Sequence, residues 1–127
     1  MSDKFIVEII TPDQTIFKHE ASEVTIPSYE GQMGILKDHI PLITFLRPGL
    51  IEIGKAEKFY TEDGTVEFSD NNLLILSSTV QNLKSVSSEK IDTMIKEAEK
   101  KLSADQISDK QRYILNYKID TLKQINQ

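Results

Sequence analysis

The chain has 127 residues, with 15 Lys and Arg against 20 Asp and Glu, a formal net charge of -5 and 39% hydrophobic residues. That is one ordinary domain's worth of chain with enough apolar material for a packed core. The acidic balance excludes nucleic acid as a main partner, because phosphate neutralisation needs a basic face, and the absence of cysteine excludes disulfides, thiolate catalysis and thiolate metal sites.

The pattern changes character near Val86. All five glycines and all four prolines lie before it, and the reading is a β part over residues 1–86 followed by a helical part over 87–127. Phe5, Val7 and Ile9 alternate with Ile6, Glu8 and Ile10, a period-2 strand that Thr11-Pro12-Asp13 ends with turn chemistry. Gln14 to Lys18 and Glu23 to Ser28 are the next strands, the latter placing Val24 and Ile26 on one face and Glu23 and Thr25 on the other. Gly31-Gln32-Met33-Gly34 reads as a loop that needs positive φ at two places. Leu42 to Leu46 and Leu50 to Ile53 flank the Pro48-Gly49 turn, and Phe59 to Thr61 and Val66 to Phe68 flank Asp63-Gly64, a hairpin signal. Asn72 to Val80 closes the set, and its run Leu73-Leu74-Ile75-Leu76 is expected to be buried on both faces. Many short strands at near-regular spacing predict a β-sandwich or flattened barrel.

After residue 86 the period becomes helical. Ile91, Met94, Ile95, Ala98 and Leu102 fall on one stripe, capped by Ser87 or Ser88. Asp92/Lys96 and Glu97/Lys101 are opposite charges four apart. Ser103 to Ile107 is the connector, and Ser108-Asp109-Lys110-Gln111 has capping-box spacing for a second helix carrying Leu115, Ile119 and Leu122, with Ile125 beside them. The fold class is therefore α+β in two parts: a β-sandwich or flattened barrel, then an antiparallel two-helix hairpin.

The chemistry available is sparse. His19 and His39 are the only histidines, too few for a zinc site or a triad without unusual help. His39 has only Asp38 beside it in sequence, and reads as a polar loop histidine rather than a base. Neither a phosphate-cradling P-loop nor a dinucleotide turn is present. Arg47 and Arg112 are the only arginines, and Glu20, Glu23 and Glu30 are spread over turns and wet faces rather than paired. No apolar run reaches membrane-spanning length, and the start Met1-Ser2-Asp3-Lys4 has no charged-then-apolar leader, so neither a spanning helix nor a secretory signal is expected. With no acid-base pair, an acyl- or carbohydrate-modifying enzyme on a β-sandwich is the weakest reading, and a subunit or adaptor the simplest.

One stretch is more specific. Glu30-Gly31-Gln32-Met33-Gly34-Ile35-Leu36-Lys37-Asp38-His39-Ile40-Pro41-Leu42 resembles the Glu-Gly-x-x-Gly-Ile-Leu-x-x-His-x-Pro-Leu signature of the ε subunit of F-type ATP synthase, called δ in mitochondria. Ile10-Thr11-Pro12, Pro48-Gly49-Leu50-Ile51-Glu52-Ile53 and Asn72-Leu73-Leu74-Ile75-Leu76 are similar to further motifs of that family in the same order. Where the family has Gly-Gly-Phe-x-Glu-Val, this chain has Asp63-Gly64-Thr65-Val66-Glu67-Phe68.

The resemblance implies a non-catalytic rotor subunit without a cofactor or metal, whose sandwich joins the γ subunit to the ring of c subunits. Tyr29, Glu30, Gly31, Gln32 and Met33 match the segment laid on the c-ring, and Thr11, His39 and Thr44 match positions facing γ. The hairpin of the family either lies folded on the sandwich or extends along γ toward the α and β subunits, and its extended form blocks ATP hydrolysis, which gives Lys110, Arg112, Lys118 and Lys123 an inhibitory role. The alternative is an ATP-binding regulatory module that uses the helices as a clamp, starting from Ile91 and Asp92; here Ile95 and Lys96 stand where such a clamp has Arg and Ala. The implied location is the cytoplasmic face of a bacterial plasma membrane, reached only through partner subunits, with the isolated chain soluble.

Overall fold

The computed structural model describes residues 3–126; the outermost ends of the two sequence-defined parts, residues 1–2 and 127, lie outside the described residues. The contact pattern divides the chain into two compact units after Asn82.

The first unit is built from strands β1 (Phe5–Ile10), β2 (Thr15–Ala21), β3 (Glu23–Ser28), β4 (Gly31–Leu36), β5 (Leu42–Leu46), β6 (Gly49–Ile53), β7 (Glu57–Thr61), β8 (Gly64–Ser69), β9 (Asn72–Leu76) and β10 (Gln81–Asn82). Two layers share one continuous hydrogen-bonded path. One runs β10-β7-β6-β3, with β4 on the far side of β3; the other runs β5-β8-β9-β1-β2. They meet where Ser28 pairs with Leu46. This is the β-sandwich that the alternating strands predict.

Alternation explains the core. Phe5, Val7 and Ile9 of β1, Val24 and Ile26 of β3, Val66 and Phe68 of β8, and Leu73 and Ile75 of β9 all turn inward and are buried. Phe5 meets Phe68 edge-on, with ring centroids 5.5 Å apart. Each fully buried side chain of this size contributes roughly 1.5–3 kcal/mol relative to exposure.

Four details correct the sequence reading. Gly31–Leu36 is a strand, paired with β3 from Glu23↔Leu36 to Ser28↔Gly31, and not a loop. Of its glycines only Gly31 has positive φ; pairing with β3 supplies the order that the composition did not advertise. Asp63-Gly64 is not a hairpin, because β7 pairs with β6 and β10 while β8 pairs with β5 and β9. Asp63-Gly64 is instead a corner between layers, whereas β8 and β9 form a tight hairpin at Asp70-Asn71, both at positive φ as a type I′ turn requires. The last predicted strand stops at Leu76, and Leu73 to Leu76 is buried on one face only, with Leu76 44% exposed.

Tyr60 on β7 is buried and its hydroxyl donates to Glu62 Oε2 at 3.2 Å. Burial first, and then the adjacent carboxylate, push its phenol above the ordinary range. The raised folded-state value means that the neutral phenol supports the fold fully below the unfolded value near 10, and that this support drains away as pH climbs beyond it. Urea unfolding between roughly pH 8 and 11.5 is expected to show a falling alkaline limb that flattens in Tyr60→Phe. Parallel curves for the two proteins would remove Tyr60 as its source.

The second unit holds helices α1 (Ser88–Leu102) and α2 (Asp109–Ile125). Ser87 caps α1 by accepting from the Lys90 amide. Ser108 and Gln111 form the full capping box on α2. Ile91, Ile95 and Ala98 of α1 and Ile119 and Leu122 of α2 are buried. Asn126 closes the open end of the hairpin, donating to the Ser88 carbonyl and to Asp92 Oδ1 at 2.8 Å. Lys123 and Glu99 form a half-exposed ion pair between the helices at 3.6 Å, worth little on its own.

Candidate functional site

The β3–β4 turn is held from inside. Ser28 is fully buried; its hydroxyl donates to the Gly31 carbonyl at 2.8 Å and accepts from the Glu30 amide at 3.1 Å. The Tyr29 amide bonds the Phe45 carbonyl. These bonds push Tyr29 and Glu30 outward at the tip, followed by exposed Gln32. Gly31 sits at φ 122, where a side chain would strain the turn. Met33 departs from the rest of this segment: it is half-buried and packs against the chain's own core. Sequence reasoning missed Ser28, whose spacing three residues before Gly31 is the only signal of the brace.

The second cluster surrounds His39. The His39 amide donates to the Leu36 carbonyl. Its ring lies edge-on to Phe68 at 5.9 Å. Nδ1 is 2.7 Å from the Ile40 carbonyl; a carbonyl only accepts, so Nδ1 carries the proton. These contacts fix the ring against Phe68 and against its own loop.

Thr44 turns inward and is only 5% exposed, so it offers a partner almost no surface. Its neighbours do the opposite: Ile43 is 74% and Phe45 61% exposed. Cross-strand pairing sets Ile43 opposite Glu67 and Phe45 opposite Thr65, and Thr65 opposite Leu76. One face of the β5-β8-β9 layer thus carries the exposed apolar side chains Ile43, Phe45 and Leu76, with the carboxylate of Glu67 among them. Contiguous exposed apolar surface of this kind marks a protein-binding face. Thr11 closes the β1–β2 turn, its amide and hydroxyl both donating to the Gln14 carbonyl.

In the helical unit, Lys110, Arg112 and Lys123 are exposed and Lys118 is half-buried. Ile91 is buried and Asp92 is engaged by Asn126. Among the described residues no cluster of three or more potential metal ligands occurs, and no helix is long and apolar enough to cross a membrane.

Comparison with known proteins adds a consistent picture. Residues 4–82 match the family described as ATP synthase, Delta/Epsilon chain, beta-sandwich domain. The chain is 42% identical to the ATP synthase epsilon chain of Pelagibacter ubique, over 99% of this chain and 100% of that one. It is 35% identical to the corresponding chain of Desulfitobacterium hafniense strain Y51, over 81% of this chain and 80% of that one. In shape it resembles a chain of the Euglena gracilis mitochondrial ATP synthase OSCP/F1/c-ring structure, with a TM-score of 0.80 at 20% identity, covering 100% of this chain and 84% of that one.

Proposed function

The chain belongs to the ATP synthase delta/epsilon family, and from that premise we propose that it is a non-catalytic coupling subunit of the central stalk, joining γ to the c-ring of an F-type ATP synthase. The observation that carries the coupling role is the pairing of two outward surfaces on one stiff sandwich: the polar tip Tyr29-Glu30-Gln32 and the open apolar face around Ile43 and Phe45. Torque transmission needs no bond chemistry. It needs a body that does not deform between its two contacts, and a close-packed sandwich supplies that.

The tip is the c-ring contact, where Glu30 pairs with a basic group of a ring loop for about 1 kcal/mol. The apolar face and the His39 loop are the γ contact. Thr11 marks one side of that contact, and Ile43 and Phe45 carry on β5 what the resemblance assigns to Thr44. Through these partners the chain sits peripherally at the cytoplasmic face of a bacterial plasma membrane.

The hairpin is the regulatory part. Lys110, Arg112, Lys118 and Lys123 give α2 a basic character that suits acidic surface on the catalytic α and β subunits. The ion pair between Lys123 and Glu99 is half-exposed, a tie that is inexpensive to break if the element changes its packing. The ATP-clamp alternative finds less support, since Ile91 is buried and Asp92 already engaged.

One reconstitution tests both parts. Synthase depleted of this subunit, given either the full chain or a truncation ending at Val86, is expected to regain coupled proton pumping in both cases. ATP hydrolysis is expected to be several-fold lower with the full chain. Failure of both proteins to restore pumping sinks the coupling role, and equal hydrolysis sinks the inhibitory one.

A further inference from the structure

The loop that carries His39 is held by a contact from a distant turn. Asp38 sits at φ 65, the left-handed region that few non-glycine residues occupy without support. Its amide donates to Asn71 Oδ1 at 2.7 Å, and Asn71 Nδ2 donates back to Asp38 Oδ1 at 3.0 Å. The two bonds form a closed reciprocal pair across 33 positions of sequence. Asn71 itself is fixed on the other side: it is the second residue of the type I′ turn, and its carbonyl accepts from the Ile6 amide at 3.1 Å. A side chain anchored by its own backbone to both β1 and the β8–β9 turn is a rigid post. What it grips is the segment between Leu36 and Ile40, whose apolar side chains are exposed, and whose His39 ring rests on Phe68.

We propose that Asn71 is a positioning residue for the γ-facing loop, holding Asp38 in its left-handed conformation so that His39 and Ile40 are presented in one arrangement before the partner arrives. This rests on the coupling reading above. The physical gain is pre-organisation: a loop already ordered loses less freedom on association, and affinity rises by that amount. Neither Asn71 nor Asp38 needs to touch the partner for this to work.

The pair also provides its own control. Asn71→Asp keeps a residue that tolerates positive φ, so the turn survives, but it replaces the amide donor with a carboxylate facing Asp38. Combining it with Asp38→Asn exchanges the two groups: the backbone amide of position 38 still donates to the side chain at 71, and the side-chain bond re-forms in the opposite direction, with the amide at 38 donating and the carboxylate at 71 accepting. In the isolated full chain, Asn71→Asp is expected to speed exchange of the position-38 amide roughly tenfold and to shift the His39 ring protons away from their Phe68-perturbed position. It is also expected to weaken binding of the purified γ subunit of the same synthase roughly tenfold. The exchanged pair is expected to return all three towards wild type.

Unchanged amide exchange and ring shifts in Asn71→Asp would show that the post does not hold the loop. A loosened loop with unchanged γ affinity would show that the clamp serves the fold alone. Failure of the exchanged pair to rescue γ binding would also overturn the inference. If the wild-type chain itself does not bind γ, the coupling reading fails, and the role proposed for Asn71 fails with it.

Discussion

Replacing Gly64 by Ala is expected to be the most destabilising single-methyl change in the β unit. A Cβ at this position would lie 2.5 Å from the Leu76 carbonyl oxygen, 3.0 Å from Ser77 Cβ and 3.2 Å from Leu46 Cδ1. The nearest of these is backbone, so relief requires β9 to move as a whole. The residue also sits at φ 149, where an L side chain is strained. Strain and overpacking together cost roughly 3 kcal/mol, which lowers the thermal midpoint of a domain this size by roughly 12–24 °C. Gly34→Ala is the matched control. It meets nothing within 4 Å and has no positive φ, so its stability is expected to stay within about 0.5 kcal/mol of wild type. Scanning calorimetry on the two variants checks the pair, and equal midpoints would mean that the corner is not as tight as described.

The second large effect concerns binding rather than folding. Ile43 and Phe45 are both mostly solvent-exposed, so the double change Ile43→Asp with Phe45→Asp removes little from the core. Its thermal midpoint is expected to stay close to that of wild type. Its affinity for the γ subunit is expected to fall at least about 100-fold, because buried apolar anchors carry most of an interface's energy and a desolvated carboxylate opposes association. Lys55→Asp, in the exposed β6–β7 turn, is expected to bind as wild type does. Titration of γ against the three proteins gives the answer, and undiminished binding by the double variant would move the contact elsewhere on the sandwich.

Much of the fold was legible because its residues obey simple periodicities. In β1 the apolar Phe5, Val7 and Ile9 recur at every second position, in β3 Val24 and Ile26 alternate with Glu23 and Thr25, and Ser87 and Ser108 announce the helix starts by residue type and spacing. The failures have physical causes. Two glycines and a glutamine disguised β4, whose order comes from pairing with β3 and not from its own composition. Asp63-Gly64 has the residues of a hairpin, but chemistry at a turn does not say whether the flanking strands pair with each other or part into different layers. At Asp70-Asn71 the turn chemistry was present without glycine and passed unnoticed.

The candidate site was legible only in part, and strand β5 shows why. Leu42-Ile43-Thr44-Phe45-Leu46 is apolar at both faces apart from Thr44, and ordinary amphipathic logic turns the threonine to solvent. The sandwich does the reverse, burying Thr44 and leaving Ile43 and Phe45 outside. Periodicity can say that two sets of side chains lie on opposite faces. It cannot say which face the rest of the chain covers. The Asp38–Asn71 contact is hidden for a related reason, since a side-chain pair across 33 positions leaves no local pattern.

The parallel pairing of β1 with β9, from Ile6↔Asn72 to Ile10↔Leu76, bears on how the protein is made. β1 leaves the ribosome well before β9 and has to wait for it before its inner edge is satisfied. Until then Phe5, Val7 and Ile9 have only a β1–β2 hairpin to hold them, and such a hairpin is marginal alone. Synthesis of the sandwich therefore ends in a late closure joining the two extremes of its sequence. The stretch that follows Asn82 adds length behind β9, which lets that closing strand clear the exit tunnel while the chain is still tethered.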